Sequence, residues 1–132
     1  MNVKLLVRAV LVATAVVFTA GSASAIELRP YTPEAFAAAQ EEGAQIVVDV
    51  HATWCPTCQA QRRVIEQLAE DARFDDVVVF VIDYDTEKAY MRMHRVTQRS
   101  TLIAFLGAEE YGRLYAVTSY EGIEALFVSI LE

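Results

Sequence analysis

Between residues 45 and 50 the chain reads Gln-Ile-Val-Val-Asp-Val, and between 77 and 82 it reads Val-Val-Val-Phe-Val-Ile. Apolar runs of this length suit strands covered on both faces, as in a sheet packed between helices. The segment between them has a different period. Ala60, Val64, Ile65, Leu68, Ala69 and Ala72 recur at helical spacing, which predicts a helix ending near residue 72, with Gln61, Arg62, Glu66 and Gln67 turned to solvent. Upstream, residues 26–31 suit a short strand. Thr32 is placed to cap a helix with Pro33 at its first position, running through an alanine-rich stretch to residue 42 and ended by Gly43. Downstream, residues 86–94 predict a short helix. Residues 102–106 and 113–117 predict a hairpin around Gly107 and Gly112, and Ser119 is placed to cap a last helix over 120–131. The order (β)αβαβαββα implies an α/β domain whose mixed central β-sheet is flanked by helices on both faces.

Composition changes this picture at the N-terminus. Lys4 and Arg8 precede an uncharged run over residues 9–20 and a Gly-Ser-Ala-Ser-Ala close at 21–25. That pattern reads as a secretory signal peptide over 1–25, leaving one domain over 26–132. An uncleaved anchor is the alternative, but the last third of the stretch is Gly, Ser and Ala, poorly suited to a span of about 20 apolar residues. A periplasmic or otherwise exported location follows. The leader holds two of the 11 basic residues, so the domain sets nine against 18 acids, which argues against nucleic acid or anionic lipid as a partner. Arg92, Arg95 and Arg99 lie among apolar and polar neighbours and read as a solvated face, and His94 reads as a surface residue.

The candidate chemistry lies in one tetrapeptide, Cys55-Pro56-Thr57-Cys58, which contains both cysteines. Export places them where disulfides persist. A bridge across two residues restricts the unfolded chain very little, so a reactive pair is expected rather than a staple. The pair stands where a strand ends and a helix begins. Unpaired amides and the positive end of the helix dipole would stabilise a thiolate at Cys55, making it a solvent-facing attacker, with Cys58 one turn deeper as resolver. Asp49 is an acid inside an apolar strand. Burial would raise its pKa and suit it to accept the Cys58 proton; the alternative is a position open to solvent. His51 has two readings: an imidazolium favouring the Cys55 thiolate, or a half-buried ring of structural use. Trp54 is expected to cover the active-site surface, and the tyrosines to lie in core or rim.

The stretch Val47-Val48-Asp49-Val50-His51-Ala52-Thr53-Trp54-Cys55-Pro56-Thr57-Cys58 resembles the active-site segment of the thioredoxin family, with an aspartate six residues before the first cysteine and a tryptophan directly before it. Residues 77–85 resemble that family's third strand, and 96–105 its substrate-facing loop and fourth strand. The resemblance implies the thioredoxin fold, reactive Cys55 and Cys58, and proton transfer by Asp49. Substrate contacts would fall at Trp54, Pro56, Thr57, Ser100 and Thr101. Three positions depart from the pattern. Ser100 replaces a cis-proline, so Arg99–Ser100 is either trans or cis at a cost of about 3 kcal/mol. Arg63 replaces a helix proline, removing the usual kink, and Pro56-Thr57 replaces Gly-Pro, shifting redox poise.

The expected function is thiol–disulfide exchange on proteins in the cell envelope, as a reductase. Its redox group is the Cys55–Cys58 pair without further cofactor or metal. The expected partners are protein dithiols or disulfides and a membrane electron donor, and the expected state is a monomer. Net oxidation or isomerisation is the alternative within this chemistry; disulfide-forming oxidases on this fold carry a helical insertion for which the chain has no room. Copper or zinc binding through Cys55, Cys58 and His51 is the alternative outside it, although two cysteines and two histidines fall short of four ligands at a recognised spacing.

Overall fold

The computed structural model describes residues 25–131, so the leader expected over 1–25 lies outside them but for Ala25. Among the described residues, five strands and four α-helices follow in the order β1 Glu27–Pro30, α1 Pro33–Glu41, β2 Gln45–His51, α2 Pro56–Leu68, β3 Val77–Asp83, α3 Lys88–Met93, β4 Thr101–Leu106, β5 Glu109–Tyr115 and α4 Tyr120–Val128. The sheet order is β1-β3-β2-β4-β5. β3 runs parallel to β1 and β2, while β4 is antiparallel to both β2 and β5.

The two faces of β2 explain its unbroken apolar run. Ile46, Val48 and Val50 pack with Phe80, Ile82, Ile103 and Phe105 under α1 and α3. Val47 points the other way and joins Val79, Leu102 and Ala104 beneath α2 and α4, among Ile65, Leu68, Ile123 and Phe127. Period-2 geometry places Asp49 and His51 on that second face. β2 is central, so its end sets the site.

The helix starts follow their capping chemistry. Thr32 Oγ1 accepts from the Ala35 amide at 3.1 Å and Ser119 Oγ from Gly122 at 3.3 Å. Gly43 has φ 72 after α1, the left-handed turn a glycine makes without steric cost.

Several expectations change. α2 stops at Leu68 rather than near Ala72, because Asp71 caps a separate 3-10 turn over Ala72–Phe74. β5 begins at Glu109, so Gly112 lies within the strand, its Cα facing Leu126, and only Gly107 shapes the turn. A side chain at Gly107 (φ 58) would also meet the Gln40 carbonyl at 3.2 Å. His94 is not a surface residue: it stacks on Tyr90 with centroids 4.1 Å apart and meets Phe36 and Phe105 edge-on. α2 runs unbroken through Arg63, as loss of the helix proline implies.

Candidate active site

Strand β2 ends at His51, and a turn closed by the Cys55 amide on the Ala52 carbonyl (3.1 Å) leads into α2. Cys55 is the N-cap, with Pro56 next, at the helical position where a missing N–H costs nothing. The Cys55 sulfur accepts the Cys58 amide at 3.2 Å, filling the place of a capping serine or aspartate oxygen. Cys58 is fully buried one turn on, its Sγ 3.9 Å from the Val50 carbonyl.

Ser100 comes from the opposite side. There is no cis peptide bond among the described residues, and Ser100 adopts φ 59, a left-handed conformation that costs a non-glycine residue about 1–2 kcal/mol. Four hydrogen bonds hold this loop. The Ser100 amide donates to Val50 at 2.9 Å, and the Ala116 amide donates to the Ser100 carbonyl at 2.9 Å. The Gln61 side-chain amide spans the Ser100 and Val117 carbonyls at 3.1 and 3.0 Å. The Ser100 hydroxyl is thereby fixed 3.2 Å from Cys55 Sγ and 3.2 Å from Cys58 Sγ.

These contacts split the two thiols. Burial works to raise Cys55, but hydrogen bonds from the Cys58 thiol, Ser100, the Cys58 amide and Arg99 outweigh it and lower its pKa to about 7. Burial raises Cys58, and its hydrogen bond to Cys55 raises it further. Cys55 is not solvent-facing, however: it is 1% exposed. The reason lies in the neighbouring loop, where Ser100 closes over both sulfurs. The exposed Arg99 lays its guanidinium 4.7 Å from the centroid of the Trp54 ring.

Asp49 is fully buried. Burial raises its pKa, while the Arg62 and His51 charges oppose the rise. Arg62 donates to Asp49 Oδ2 through Nε at 3.1 Å and Nη2 at 2.6 Å, whereas Oδ1 has no hydrogen-bond partner among the described residues. His51 Nδ1 stands 3.7 Å from the same Oδ2, so its ring attends Asp49.

A family model described as thioredoxin-like matches residues 27–108. The crystal structure of Trxlp from Edwardsiella tarda is 38% identical at a TM-score of 0.73, covering 76% of this chain and 98% of that one. The chain belongs to the thioredoxin-like family. Its sheet and flanking helices form the thioredoxin fold, as in a mutant thioredoxin from Halobacterium salinarum, 26% identical with a TM-score of 0.72 over 85% of this chain and 97% of that one. Among curated relatives, rice thioredoxin H2-1 is 33% identical over 69 residues, 52% of this chain and 49% of that protein. The thiol:disulfide interchange protein DsbE of Haemophilus influenzae is 34% identical over 61 residues, 46% of this chain and 29% of its own length. The chain thus spans about half or less of these two curated relatives.

Within this thioredoxin-like site, the remaining expected positions take distinct places. Trp54 is 55% exposed, tied by Nε1 to Asp85 Oδ2 at 2.8 Å. Pro56 is exposed and Thr57 half-buried beside the cysteines. Thr101 is buried, its hydroxyl donating to the Gln98 carbonyl at 2.8 Å. Gln61 and Arg62 overturn the expectation that they face solvent. They follow Cys58 by three and four residues, which puts them on the helix face that buries Cys58. That spacing was the signal available in the sequence. Arg99 had no such signal, since its place depends on the Ser100 turn. Among the described residues no group of three or more His, Cys, Asp or Glu side chains is placed to hold a metal ion.

Proposed function

We propose that this thioredoxin-like protein reduces protein disulfides in the cell envelope. The observation that carries the reading is the Ser100 hydroxyl bridging two reduced sulfurs at 3.2 Å each, beside a Cys55 thiol lowered to about 7. The Cys55 thiolate attacks one sulfur of a substrate disulfide, forming a mixed disulfide and releasing the other sulfur as thiolate. Cys58 loses its proton to Asp49 and attacks Cys55. The second substrate sulfur leaves as a thiolate, the substrate has gained two electrons, and Cys55–Cys58 becomes a disulfide. Attack requires the loop carrying Arg99 and Ser100 to shift off Cys55. Trp54, Pro56, Thr57 and the Ser100–Thr101 backbone border the point where substrate arrives.

The direction of flux rests on the thiolate. A Cys55 pKa of about 7 matches the value near 7 of reducing thioredoxins rather than the value near 3.5 of a strong oxidant. Electrons then come from a membrane donor, which the exported location read from the leader makes necessary. No helix among the described residues is long and apolar enough to cross a membrane. The domain acts as a monomer with no cofactor beyond its cysteine pair.

Insulin reduction driven by dithiothreitol tests the activity: wild type should exceed Cys55→Ser, and equal rates would remove the enzyme reading. Equilibration with glutathione tests the direction. A potential near −270 mV fits a reductase, and one near −120 mV makes the protein an oxidant.

A further inference from the structure

Charge is segregated along this chain. Residues 88–108 contain Lys88, Arg92, Arg95 and Arg99 and no acid, so all 18 acidic residues lie elsewhere. This stretch is α3, the loop to Ser100 and strand β4. Arg92 and Arg95 are exposed and form no ion pair among the described residues. Beside them Met93 is 75% exposed.

Two grooves flank the turn at Arg95–Thr97. One, of about 310 Å³, is walled by Gln98, Thr101, Arg113 and Tyr115; the other, of about 420 Å³, by Lys88, Met91 and Arg92. Arg95, Val96 and Thr97 border both. The first groove reaches Thr101, the residue after Ser100, whose hydroxyl touches both sulfurs, and Arg99, the residue before Ser100, lies over the Trp54 ring. A positive ridge with a channel on each side therefore runs up to the reactive thiol, on a protein that is otherwise acidic.

We propose that this ridge docks an acidic segment of the polypeptide substrate, flanking the disulfide to be reduced. The proposal rests on the redox reading above and adds the substrate class. Uncompensated cations beside a cleft steer and hold anionic partners while the surrounding acids repel them elsewhere. That second effect favours a short acidic peptide over an extended anionic surface. A membrane or nucleic acid would meet the acidic remainder of the protein, whereas a peptide in a groove faces mainly the ridge, since Glu110 is already engaged by Arg113 at the groove wall.

Two disulfide-bonded peptides of equal ring size, one flanked by Asp and Glu and one by Lys, provide the test, with neutral hydroxyethyl disulfide as reference. Wild type should reduce the acidic peptide about tenfold faster in kcat/KM at low salt, the lower end of electrostatic steering, and the gap should close as salt rises. The double variant Arg92→Glu with Arg95→Glu should erase or invert the preference and leave the hydroxyethyl disulfide rate unchanged. Arg92→Gln with Arg95→Gln should fall between. Equal wild-type rates on both peptides, or a preference retained in the charge-reversed variant, would overturn the proposal. Tighter binding to phosphatidylserine vesicles or single-stranded DNA than to the acidic peptide would do the same. Should wild type reduce none of the three disulfides faster than Cys55→Ser, the redox reading fails. Fluorescence anisotropy of the labelled acidic peptide with wild type and R92E/R95E then decides the docking surface separately.

Discussion

Arg62→Met isolates the electrostatics beneath the cysteines. The substitution keeps most of the apolar stem of Arg62 and deletes both donors to Asp49 Oδ2, at 3.1 and 2.6 Å. Asp49 is wholly shielded, and its other oxygen has no partner among the described residues, so the carboxylate keeps only the His51 ring, 3.7 Å away, and no hydrogen bond. Breaking one side of a buried pair costs about 3–5 kcal/mol, and the Arg62 side chain, 23% exposed, points to the lower end, about 3 kcal/mol at neutral pH. The pH dependence has a definite sign. Burial already holds the Asp49 pKa above its unfolded value, so its stabilising contribution is complete below about pH 4 and is lost as pH rises through the folded pKa. Removing Arg62 raises that folded pKa further and widens the window of loss. Urea unfolding of the reduced protein at pH 8 and pH 5 should show the deficit of the variant shrinking at the lower pH. Asp49→Asn added to Arg62→Met should recover most of it. A deficit under about 1 kcal/mol at pH 8, or one equal at both pH values, would refute the reasoning.

Four further outcomes follow from the site and core. Ser100→Ala removes a donor to the Cys55 thiolate, and the midpoint of its iodoacetamide reaction should rise by about one pH unit from about 7, the equivalent of one charge-assisted hydrogen bond. Gln61→Leu deprives two carbonyls of their shared donor; it should cost about 2 kcal/mol in urea unfolding and raise the same midpoint by loosening Ser100. His51→Phe should leave that midpoint unchanged, because His51 faces Asp49, while altering the pH profile of mixed-disulfide resolution followed by stopped flow. Tyr90→Phe removes a buried hydroxyl that has no partner among the described residues while keeping the ring against His94. Thermal unfolding should show stability unchanged or increased by up to about 1 kcal/mol.

Local signals carried most of the architecture. Caps at Thr32 and Ser119, the glycine after α1 and the two apolar strands lie within a few residues of where their chemistry places them. The cysteines were equally legible, since strand end, proline and helix start are neighbours in sequence. What escaped depends on distant parts of the chain. The position of Ser100 over the sulfurs comes from pairing between β2 and β4, and the cover over Cys55 follows from it. Gln61 and Arg62 depart from the pattern because a polar residue on an amphipathic helix is ordinarily solvated. Here each has a buried acceptor waiting beneath the helix, a demand no hydrophobic pattern encodes. His94 departs from expectation for a related reason: an imidazole can serve as one more ring in an aromatic cluster.

The conformation of Ser100 also decides which residues this position can accept. A proline ring fixes φ near −65° and carries no amide hydrogen. Ser100 stands at φ 59 and spends its amide on Val50 at 2.9 Å, so a substitution to proline alone would meet both a wrong rotation and a missing donor. Reaching the proline-bearing loop would take concerted change at Ser100 and at Gln61, whose side chain is cut to the present backbone. The hydroxyl at this position is thus held in place by its own backbone, insulated from single-step replacement by proline.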